Sequence, residues 1–597
     1  MSLFAKQIHG LTQSLARPNA LLAFTLCGAL VGLLSSGVIL IYRLLIDLAA
    51  ASNFLQQIGP PGLRSAIQLA IGVLLLWALY KLLKTDSRQS GVAHVIGRLA
   101  EPIARLPLVN MIGQFFGAAL AIAAGFSVGR EGPGVHLGAA AGSQLGIYLK
   151  LPNSSLRTLV GCGCAAAIAA SFNTPLAAVI FTLEVLAIEY ALTNLAPVIV
   201  ASVTGTVLTR YIYGTHPAFA IPEIEINQLS ELPHLIFLGL FIGLLAALFI
   251  HLLEKISISS QHAPVWQRFG CAGLAMALIG WWSPDSLGIG YSTIDAALAG
   301  QYLLVGLAAL TLAKLVATAL CLGLGIPGGL IGPSMVIGAA GGGLVYALLV
   351  GGFGEAAVSD QALYVVVGMA AMMGATLQAP LTALVTLLEM GGSTNILLPG
   401  MIGIVTAGLV SRVGFNKESV FHQLLRIRGV RFEVTAMHRS LREVAVLSAV
   451  EQSFELQHHL IEIDKVERLI ASDTRWTLLH DGKQPVAALL HSELAAQLEN
   501  LQQKSATETE KAYPPNPPEQ GLSGPQIIDL LKLPGSNELP LQLLTLSRIG
   551  SLATLDEAYE LMIAQGSEGV YVQSEQIDGI DGIFGLLRSS DLERYYK

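Results

Sequence analysis

Two stretches of this chain repeat one pattern of small residues, and this repeat restricts the fold more than any other feature. Gly129-x-x-x-Pro133 is followed by Gly138-Ala139-Ala140. The same residues recur 200 positions later, where Gly329-x-x-x-Pro333 is followed by Gly338-Ala339-Ala340. Glycine and alanine are common in this chain, so one such match could arise by chance.

A second pair of segments makes chance a poor explanation. Asn173-Thr174-Pro175-Leu176 with Glu184 is matched by Gln378-Ala379-Pro380-Leu381 with Glu389, and the proline and glutamate are equally far apart in both. Two matches in the same order predict an internally duplicated domain, with a substrate site where the copies meet. The sequence leaves open whether the copies are inverted. They occupy about 65–213 and 233–411.

Composition predicts that the duplicated part lies in a membrane. Of the 597 residues, 53% are hydrophobic and 13% are charged, whereas soluble proteins carry about 25% charged residues. The mean hydropathy is +0.62. Between about 90 and 210 the apolar runs are short and interrupted, which predicts broken helices that face protein or a watery cavity. The net charge of −7 gives no reason to expect nucleic acid as a partner.

Changes in composition along the chain predict five segments. We expect a cytoplasmic lead-in without a cleaved signal, a membrane domain, a soluble module, a polar and proline-rich linker, and a second soluble module. Charges reach the density of soluble proteins after Arg412, and short β-like runs alternate with amphipathic helices there. The predicted boundaries are 1–20, 21–412, 413–500, 501–522 and 523–597.

Arg130 and Glu131 stand side by side within the first glycine-rich stretch. A charged side chain at bilayer depth costs at least about 2.5–3.5 kcal/mol, so this acid needs a partner, water or a function. Glycines let backbone N–H groups approach a ligand, and a helix that begins behind them points its positive dipole end at that ligand. These residues alone favour two hypotheses equally: an anion site that contains a carboxylate, or a structural ion pair that caps a buried helix.

At these motifs the sequence resembles the CLC family of chloride channels and proton/chloride exchangers. The residues that carry the resemblance are Gly129–Pro133, Phe172–Ala177 and Gly325–Pro333. The C-terminal modules resemble a CBS-domain pair. The resemblance implies an all-α polytopic membrane domain built from two inverted repeats of broken helices, followed by an α/β cytoplasmic CBS-like pair. It also implies a homodimer with one anion path in each subunit.

The resemblance also implies roles for individual residues. Glu131 would be the gating glutamate, because its carboxylate is itself an anion that can occupy and block the site. Arg130 would be structural. The other positions of the anion site would supply hydroxyls or backbone N–H groups, and binding by such partial charges is weak enough to permit release. They are Ser90, Gly91, Gly129, Arg130, Gly132, Gly329, Leu330, Ile331 and Thr394.

Three positions depart from the family pattern. Ala93 stands where proline is usual in the loop that begins at Ser90. This change leaves the hydroxyl of Ser90 in place. An alignment of Glu389 to Pro399 puts Thr394 at the position of the family's central tyrosine, so the inner gate is altered. Val185 stands where exchangers commonly carry an internal glutamate, and valine cannot relay protons. The neighbouring Glu184 is expected to be structural.

These departures favour passive or weakly coupled chloride conduction gated by Glu131. Stoichiometric proton/chloride exchange is the alternative, because Glu131 can still carry a proton and some exchangers lack the internal acid. A fluoride exporter is disfavoured by Ser90 and Pro133, and a non-conducting membrane sensor is the hypothesis from another class. We expect no enzyme, because His94 and His136 have no carboxylate or cysteine at catalytic spacing.

The expected ligands are few. Chloride is the substrate, no cofactor is required, and an adenine nucleotide is a candidate ligand of the CBS-like modules, at Asp591 and Ser589. The five cysteines lack zinc or disulfide spacing, so we expect packing thiols and no metal. Lipid and a second copy of the chain are the expected partners. The chain fits a bacterial inner membrane, with both termini in the cytoplasm.

Overall fold

The computed structural model describes most of the chain outside the predicted lead-in and linker, which lie outside the described residues. The described residues form two compact units: one lies within 21–149 and 155–430, the other within 150–154 and 436–595. The described ranges are 21–51, 60–101, 103–188, 191–214, 219, 221, 231–354, 358–430, 436–470, 472, 474–495, 527–531, 543–574 and 580–595.

The larger unit is helical, and its first half contains the first sequence repeat. Leu, Ile, Val, Ala and Gly dominate the helices of this half, and several are too short to cross a membrane alone. They are α1 (Leu21–Ala51), α2 (Pro61–Leu82), α3 (Gly91–Ala100), α4 (Leu108–Ala123), α5 (Glu131–Tyr148), α6 (Asn153–Phe172), α7 (Pro175–Glu184) and α8 (Leu192–Tyr213).

The second half repeats this sequence of helices and adds one more at its end. Among the described residues of the chain, eight helices are long and apolar enough to cross a membrane. The helices of the second half are α9 (Leu232–Ser260), α10 (Val265–Trp282), α11 (Tyr291–Leu298), α12 (Leu304–Gly323), α13 (Ile331–Phe353), α14 (Gln361–Leu377), α15 (Pro380–Gly391), α16 (Leu397–Leu409) and α17 (Val420–Ile427).

The loops before α5 and α13 have the same backbone conformation. Gly125 and Gly325 have φ values of +89° and +83°, a region that glycine enters without steric cost. Phe126 N–H donates to Ala121 C=O over 3.1 Å, and Ile326 N–H donates to Cys321 C=O over 2.9 Å. The duplication predicted from the sequence is therefore present in the backbone.

The two loops meet and run in opposite directions. Gly129 N–H donates to Gly329 C=O over 2.7 Å, and Gly329 N–H donates to Gly129 C=O over 2.8 Å, which makes an antiparallel bridge. Equivalent residues that exchange bonds in this way are related by a local two-fold rotation, as in inverted repeats. The predicted fold of inverted, broken-helix repeats is confirmed.

The glutamates of the second motif pair are exchanged between the repeats. Glu389, near the end of α15, accepts hydrogen bonds from Leu176 N–H (2.9 Å) and Ala177 N–H (2.7 Å) at the start of α7. Glu184, at the end of α7, accepts from Leu381 N–H (3.1 Å) and Thr382 N–H (2.7 Å) at the start of α15. Each carboxylate therefore satisfies helix N-terminal donors and the positive end of a helix dipole.

The smaller unit contains a six-stranded sheet in the order β1-β3-β4-β6-β7-β8. Each half of the sheet is a parallel pair of strands extended by one antiparallel strand. In the first half β1 and β3 are parallel and β4 is antiparallel to β3, and in the second half β6 and β7 are parallel and β8 is antiparallel to β7. The strands are β1 (Phe454–His458), β2 (Leu460–Glu462), β3 (Trp476–His480), β4 (Pro485–Leu490), β5 (Ile527–Asp529), β6 (Leu544–Gly550), β7 (Gly569–Gln573) and β8 (Ile583–Arg588).

Short helices cover this sheet, and β2 pairs with β5 separately. The helix after Thr554 begins with a capping box, in which Thr554 and Glu557 each accept a hydrogen bond from the other's backbone N–H. The helices are α18 (Ala436–Glu443), α19 (Val446–Ala449), α20 (Ile463–Ile470), α21 (Leu555–Gln565) and α22 (Ser589–Leu592). This arrangement agrees with a repeated α/β module.

Two segments pack in other units or modules than the predicted domain boundaries assign them to. Helix α17 packs on α3 and α9, so residues 413–430 belong to the larger unit and not to the first soluble module. Leu441 and Val446 share a hydrophobic core with Leu555 and Val570 of the second module. Burial of these apolar side chains, which sequence order does not reveal, decides where each segment packs.

We predict that Glu389→Ala lowers the thermal stability of the detergent-solubilised protein. The substitution leaves two N–H donors at the start of α7 without their carboxylate, at a cost of about 1–3 kcal/mol. Glu418→Ala is the control, because 57% of the Glu418 side chain is exposed. Equal unfolding temperatures for both variants, measured by intrinsic fluorescence, would contradict a stabilising role for the exchanged glutamates.

Candidate anion site at two helix N-termini

Glu131 is the first residue of α5 and is 1% exposed. The antiparallel bridge at Gly129 fixes the loop directly before it. Because the helix begins at this residue, its side chain projects from the positive end of α5 toward the other repeat. A carboxylate without water must receive hydrogen bonds from the protein.

The second repeat supplies those hydrogen bonds. Gly332 N–H, at the start of α13, donates to Glu131 Oε2 over 3.2 Å. The hydroxyl of Tyr291, the first residue of α11, donates to Glu131 Oε1. Arg130 Nε lies 3.8 Å from Glu131 Oε1, and its guanidinium carbon lies 5.0 Å from the centre of the Tyr291 ring. The carboxylate is thus held by one helix N-terminus, one hydroxyl and one cation.

Glycine is required where the two helix starts approach each other. A Cβ atom on Gly132 would lie 2.7 Å from the Cα atom of Gly329, closer than real Cβ contacts. The absence of side chains at both positions lets the two backbones touch. The glycines of the two motifs therefore bring two positive helix ends to one place.

A cavity of about 860 Å³ opens beside this meeting point. Six residues assigned to the anion site by resemblance line it together: Ser90, Gly91, Gly132, Gly329, Leu330 and Ile331. Ala93, the first departure from the family pattern, lines it as well. Phe269 and Phe421 also line it. The structure thus brings together anion-site residues from Ser90 to Ile331, which lie about 240 positions apart in sequence.

The lining of this cavity favours anions. The described residues that line it include four basic side chains and no acidic one. Positive charge around a concave site raises the local concentration of anions. The basic residues are Lys81, Arg88, Arg268 and Arg428.

Thr394 requires a correction. It begins a short 3-10 turn (Thr394–Ile396), is exposed, and is absent from the cavity lining. The alignment of Glu389 to Pro399 placed Thr394 in the turn between α15 and α16, and this turn does not line the cavity. The chain returns to the cavity only with α17. Phe421, on α17, lines the cavity instead.

The remaining predicted positions lie outside the cavity. Gly129 is in the bridge and Arg130 is beside Glu131. Val185 is the C-cap of α7, is 8% exposed and packs in the hydrophobic core, so an apolar side chain suits its surroundings. Among the described residues, no group of three or more His, Cys, Asp or Glu side chains could hold a metal ion.

The sequence did not reveal Tyr291 as a contact of Glu131. The only signal was its place after Gly288-Ile289-Gly290, another glycine-rich segment before a short helix. Lys314 supports this segment, because the Nζ atom of its buried side chain donates to Ser286 C=O (3.1 Å) and Gly288 C=O (2.6 Å). Lys314 therefore fixes the turn that leads into Tyr291.

The two histidines near the motifs pair with each other. His94 Nδ1 and His136 Nε2 are 2.9 Å apart, and the stacked rings join α3 to α5. Both side chains are buried. This contact ties the helix that begins after Ser90 to the helix that begins at Glu131.

Comparison with known proteins agrees with this geometry. The sequence model of the voltage gated chloride channel family matches residues 71–412. The chain belongs to this family, the CLC family. A ClcB-like chloride channel protein of Ralstonia nicotianae is 32% identical over 310 residues, which cover 51% of this chain and 72% of that protein.

Two further CLC proteins are similar. The H(+)/Cl(-) exchange transporter ClcA of Vibrio cholerae is 28% identical over 325 residues, which cover 52% of this chain and 68% of that protein. The crystal structure of a slow cyanobacterial Cl−/H+ antiporter matches with a TM-score of 0.62 at 22% identity, covering 69% of this chain and 98% of that one. This CLC protein is therefore an integral membrane protein that transports chloride.

We predict that Tyr291→Phe accelerates chloride efflux from proteoliposomes at neutral pH by about tenfold. The substitution removes a hydrogen bond to a charged carboxylate, which is worth about 1.5–3 kcal/mol, and so loosens the hold on Glu131. Tyr302→Phe is the matched control, because the Tyr302 hydroxyl donates to Asp285 Oδ2 over 2.9 Å and not to Glu131. Unchanged efflux in Tyr291→Phe would show that this hydrogen bond does not restrain chloride movement.

Proposed function

We propose that this CLC protein exchanges chloride for protons and that Glu131 is both the gate and the proton carrier. The observation that carries the proposal is the buried Glu131 carboxylate, which accepts the N–H of Gly332 at the start of α13. An anion bound at that helix N-terminus would need the same donor. The carboxylate and a chloride ion would therefore compete for one place.

Protonation of Glu131 would decide this competition. A neutral carboxylic acid is a weaker acceptor than a carboxylate and no longer balances the positive helix end. Chloride can then replace the side chain, which leaves with its proton. When the acid loses that proton on the other side of the gate, the carboxylate returns and the chloride ion moves on. Each return of the side chain thus links proton movement to chloride movement.

Two observations bear on the choice between exchange and passive conduction. The sequence favoured a passive or weakly coupled channel, because Val185 cannot relay a proton. The Vibrio cholerae relative, which is named an exchanger and of which two thirds is covered, supports exchange. The Glu131 carboxyl group can itself carry a proton, so we place exchange first.

A chloride channel gated by Glu131 is the second candidate. The Ralstonia relative named as a channel protein and the apolar surroundings of Val185 favour it. In a channel the same carboxylate would open and close the path without a fixed number of protons per chloride ion. A non-conducting sensor would move neither ion, and the experiment below decides among all three.

We further propose a homodimer within a bacterial inner membrane, with both termini in the cytoplasm. Apolar side chains on α7, α15 and α16 are at least half exposed in the single subunit, which suits a second copy or lipid. They are Leu176, Leu381, Leu398, Met401 and Val405. Relatives from bacteria agree with this location.

For the smaller unit we propose a regulatory or dimer-stabilising role as a CBS-like pair. Asp591 and Ser589, the candidates for an adenine nucleotide, lie at the start of α22. Asp591 already accepts hydrogen bonds from Arg588 Nη2 (2.7 Å) and Nε (2.9 Å). Burial raises the pKa of Asp591, but these contacts lower it further, to below its ordinary value. A nucleotide hydroxyl would have to displace Arg588.

We predict that a chloride gradient drives uphill proton movement in proteoliposomes of the parent protein. With Glu131→Gln, chloride flux should persist while proton movement falls at least about tenfold, because glutamine cannot carry a proton. A pH electrode and a chloride electrode, read together, give both fluxes.

Glu101→Gln is the control, because Glu101 pairs with Arg98 in an exposed contact and should keep both fluxes. Chloride flux without uphill proton movement in the parent would overturn exchange in favour of a channel. Absence of both fluxes from folded, reconstituted protein would overturn transport by this site.

A further inference from the structure

Lys314 is a charged side chain inside the larger unit that the proposed exchange does not use. It belongs to α12 and is 0% exposed. A buried ammonium group is costly unless hydrogen bonds or an opposite charge compensate it. The Nζ atom of Lys314 donates to two backbone carbonyls, those of Ser286 and Gly288. The ammonium group therefore acts on one turn of the backbone.

This turn also contacts the first repeat. Gly288 and Gly290 have φ values of +62° and +87°, so the chain bends sharply before α11. Gly288 N–H donates over 2.9 Å to the carbonyl of Gly125, in the loop before α5. A Cβ atom on Gly290 would lie 3.2 Å from Lys314 Nζ, so the ammonium group lies close against the turn. Lys314 thus supports a turn that is bonded to the loop preceding Glu131.

The turn ends at Tyr291, the first residue of α11 and a direct contact of the gate. The Tyr291 hydroxyl donates to Glu131 Oε1. A hydroxyl donates well only over a narrow range of distances and angles, so a shift of the turn would weaken its bond to the carboxylate. Lys314 therefore reaches the gate in two steps, through the turn and through the tyrosine.

The first repeat carries no charge at the equivalent position. The repeats are offset by 200 residues, so α11 corresponds to α3 and Lys314 corresponds to Gln114. Gln114 is 2% exposed, and its amide has no hydrogen-bond partner among the described residues. The equivalent turn is bonded to Asn110, whose Nδ2 donates to Gln89 C=O over 3.1 Å. At these positions the charge thus belongs to the repeat whose turn leads to a contact of Glu131.

We propose that Lys314 is a positioning residue of the gate, which holds Tyr291 against Glu131 and so limits how fast the carboxylate leaves the anion site. Hydrogen bonds from a charged donor are stronger than those from a neutral one, so an ammonium group holds the turn more firmly than an amide would. The proposal rests on the proposed function, because it describes how the Glu131 gate is restrained. It gives Lys314 no contact with chloride or with the transferred proton.

Chloride efflux from proteoliposomes at neutral pH tests the proposal. Lys314→Met removes the charge and its donors, and we expect it to accelerate efflux by about three- to tenfold, the size of one weakened hydrogen bond to Glu131. Lys314→Arg keeps a charged donor and should restore efflux to within about twofold of the parent. Gln114→Met is the matched control, because it changes the equivalent buried position of the other repeat, and it should keep the parent efflux.

Two double variants separate an effect on the gate from general damage. In the Tyr291→Phe background, Lys314→Met should add less than about twofold, because the contact that Lys314 positions is already lost. In the Glu131→Gln background it should leave efflux unchanged, because the carboxylate is absent. Size-exclusion profiles and unfolding temperatures check that every variant is folded. Lys314→Gln, which keeps a neutral donor, takes the place of Lys314→Met if the latter does not fold.

The outcomes separate this proposal from the transport function. Parent-like efflux in folded Lys314→Met, or equal acceleration with and without Glu131→Gln, would overturn the positioning role and leave transport through Glu131 intact. Full additivity with Tyr291→Phe would overturn the route through Tyr291. A folded parent protein that moves no chloride would instead overturn the proposed function itself.

Discussion

The site depends on one interaction, the hydrogen bond between the buried Glu131 carboxylate and the N-terminus of α13. A desolvated carboxylate is costly unless donors surround it, and α5 alone cannot supply them to its own first residue. The second repeat supplies Gly332 N–H and the hydroxyl of Tyr291. Duplication and function are therefore linked, because one copy provides the acid and the other provides its donors.

The broken helices follow from the same requirement. A continuous membrane helix satisfies its own backbone groups, whereas a helix that begins inside the domain leaves N–H groups free for an anion. Glycines at 129, 132 and 329 let two such helix starts touch. Basic side chains line the cavity and favour anions there. The N–H groups at the helix ends offer only partial charges, and binding by partial charges is weak enough to permit release.

The glycine-rich motifs could be predicted from the sequence, but the side chains that contact them could not. Gly129–Pro133 and Gly329–Pro333 were recognisable because a close approach of two backbones requires glycine, and glycine is visible in the sequence itself. Tyr291 contacts Glu131 and Phe421 lines the cavity because distant helices pack together, and a tyrosine or phenylalanine in an apolar segment predicts only burial. The predicted position of Thr394 in the anion site was wrong for a related reason, since a local alignment does not show which turn faces the cavity.

The competition between Glu131 and an anion for one position is tested most directly by anomalous diffraction from crystals grown in bromide. The parent protein and Glu131→Gln should be compared under the same conditions. We predict a bromide peak within hydrogen-bond distance of Gly332 N–H in Glu131→Gln, and a carboxylate at that place in the parent. A bromide ion at this position beside an unmoved Glu131 carboxylate in the parent, or no bromide there in Glu131→Gln, would contradict the competition.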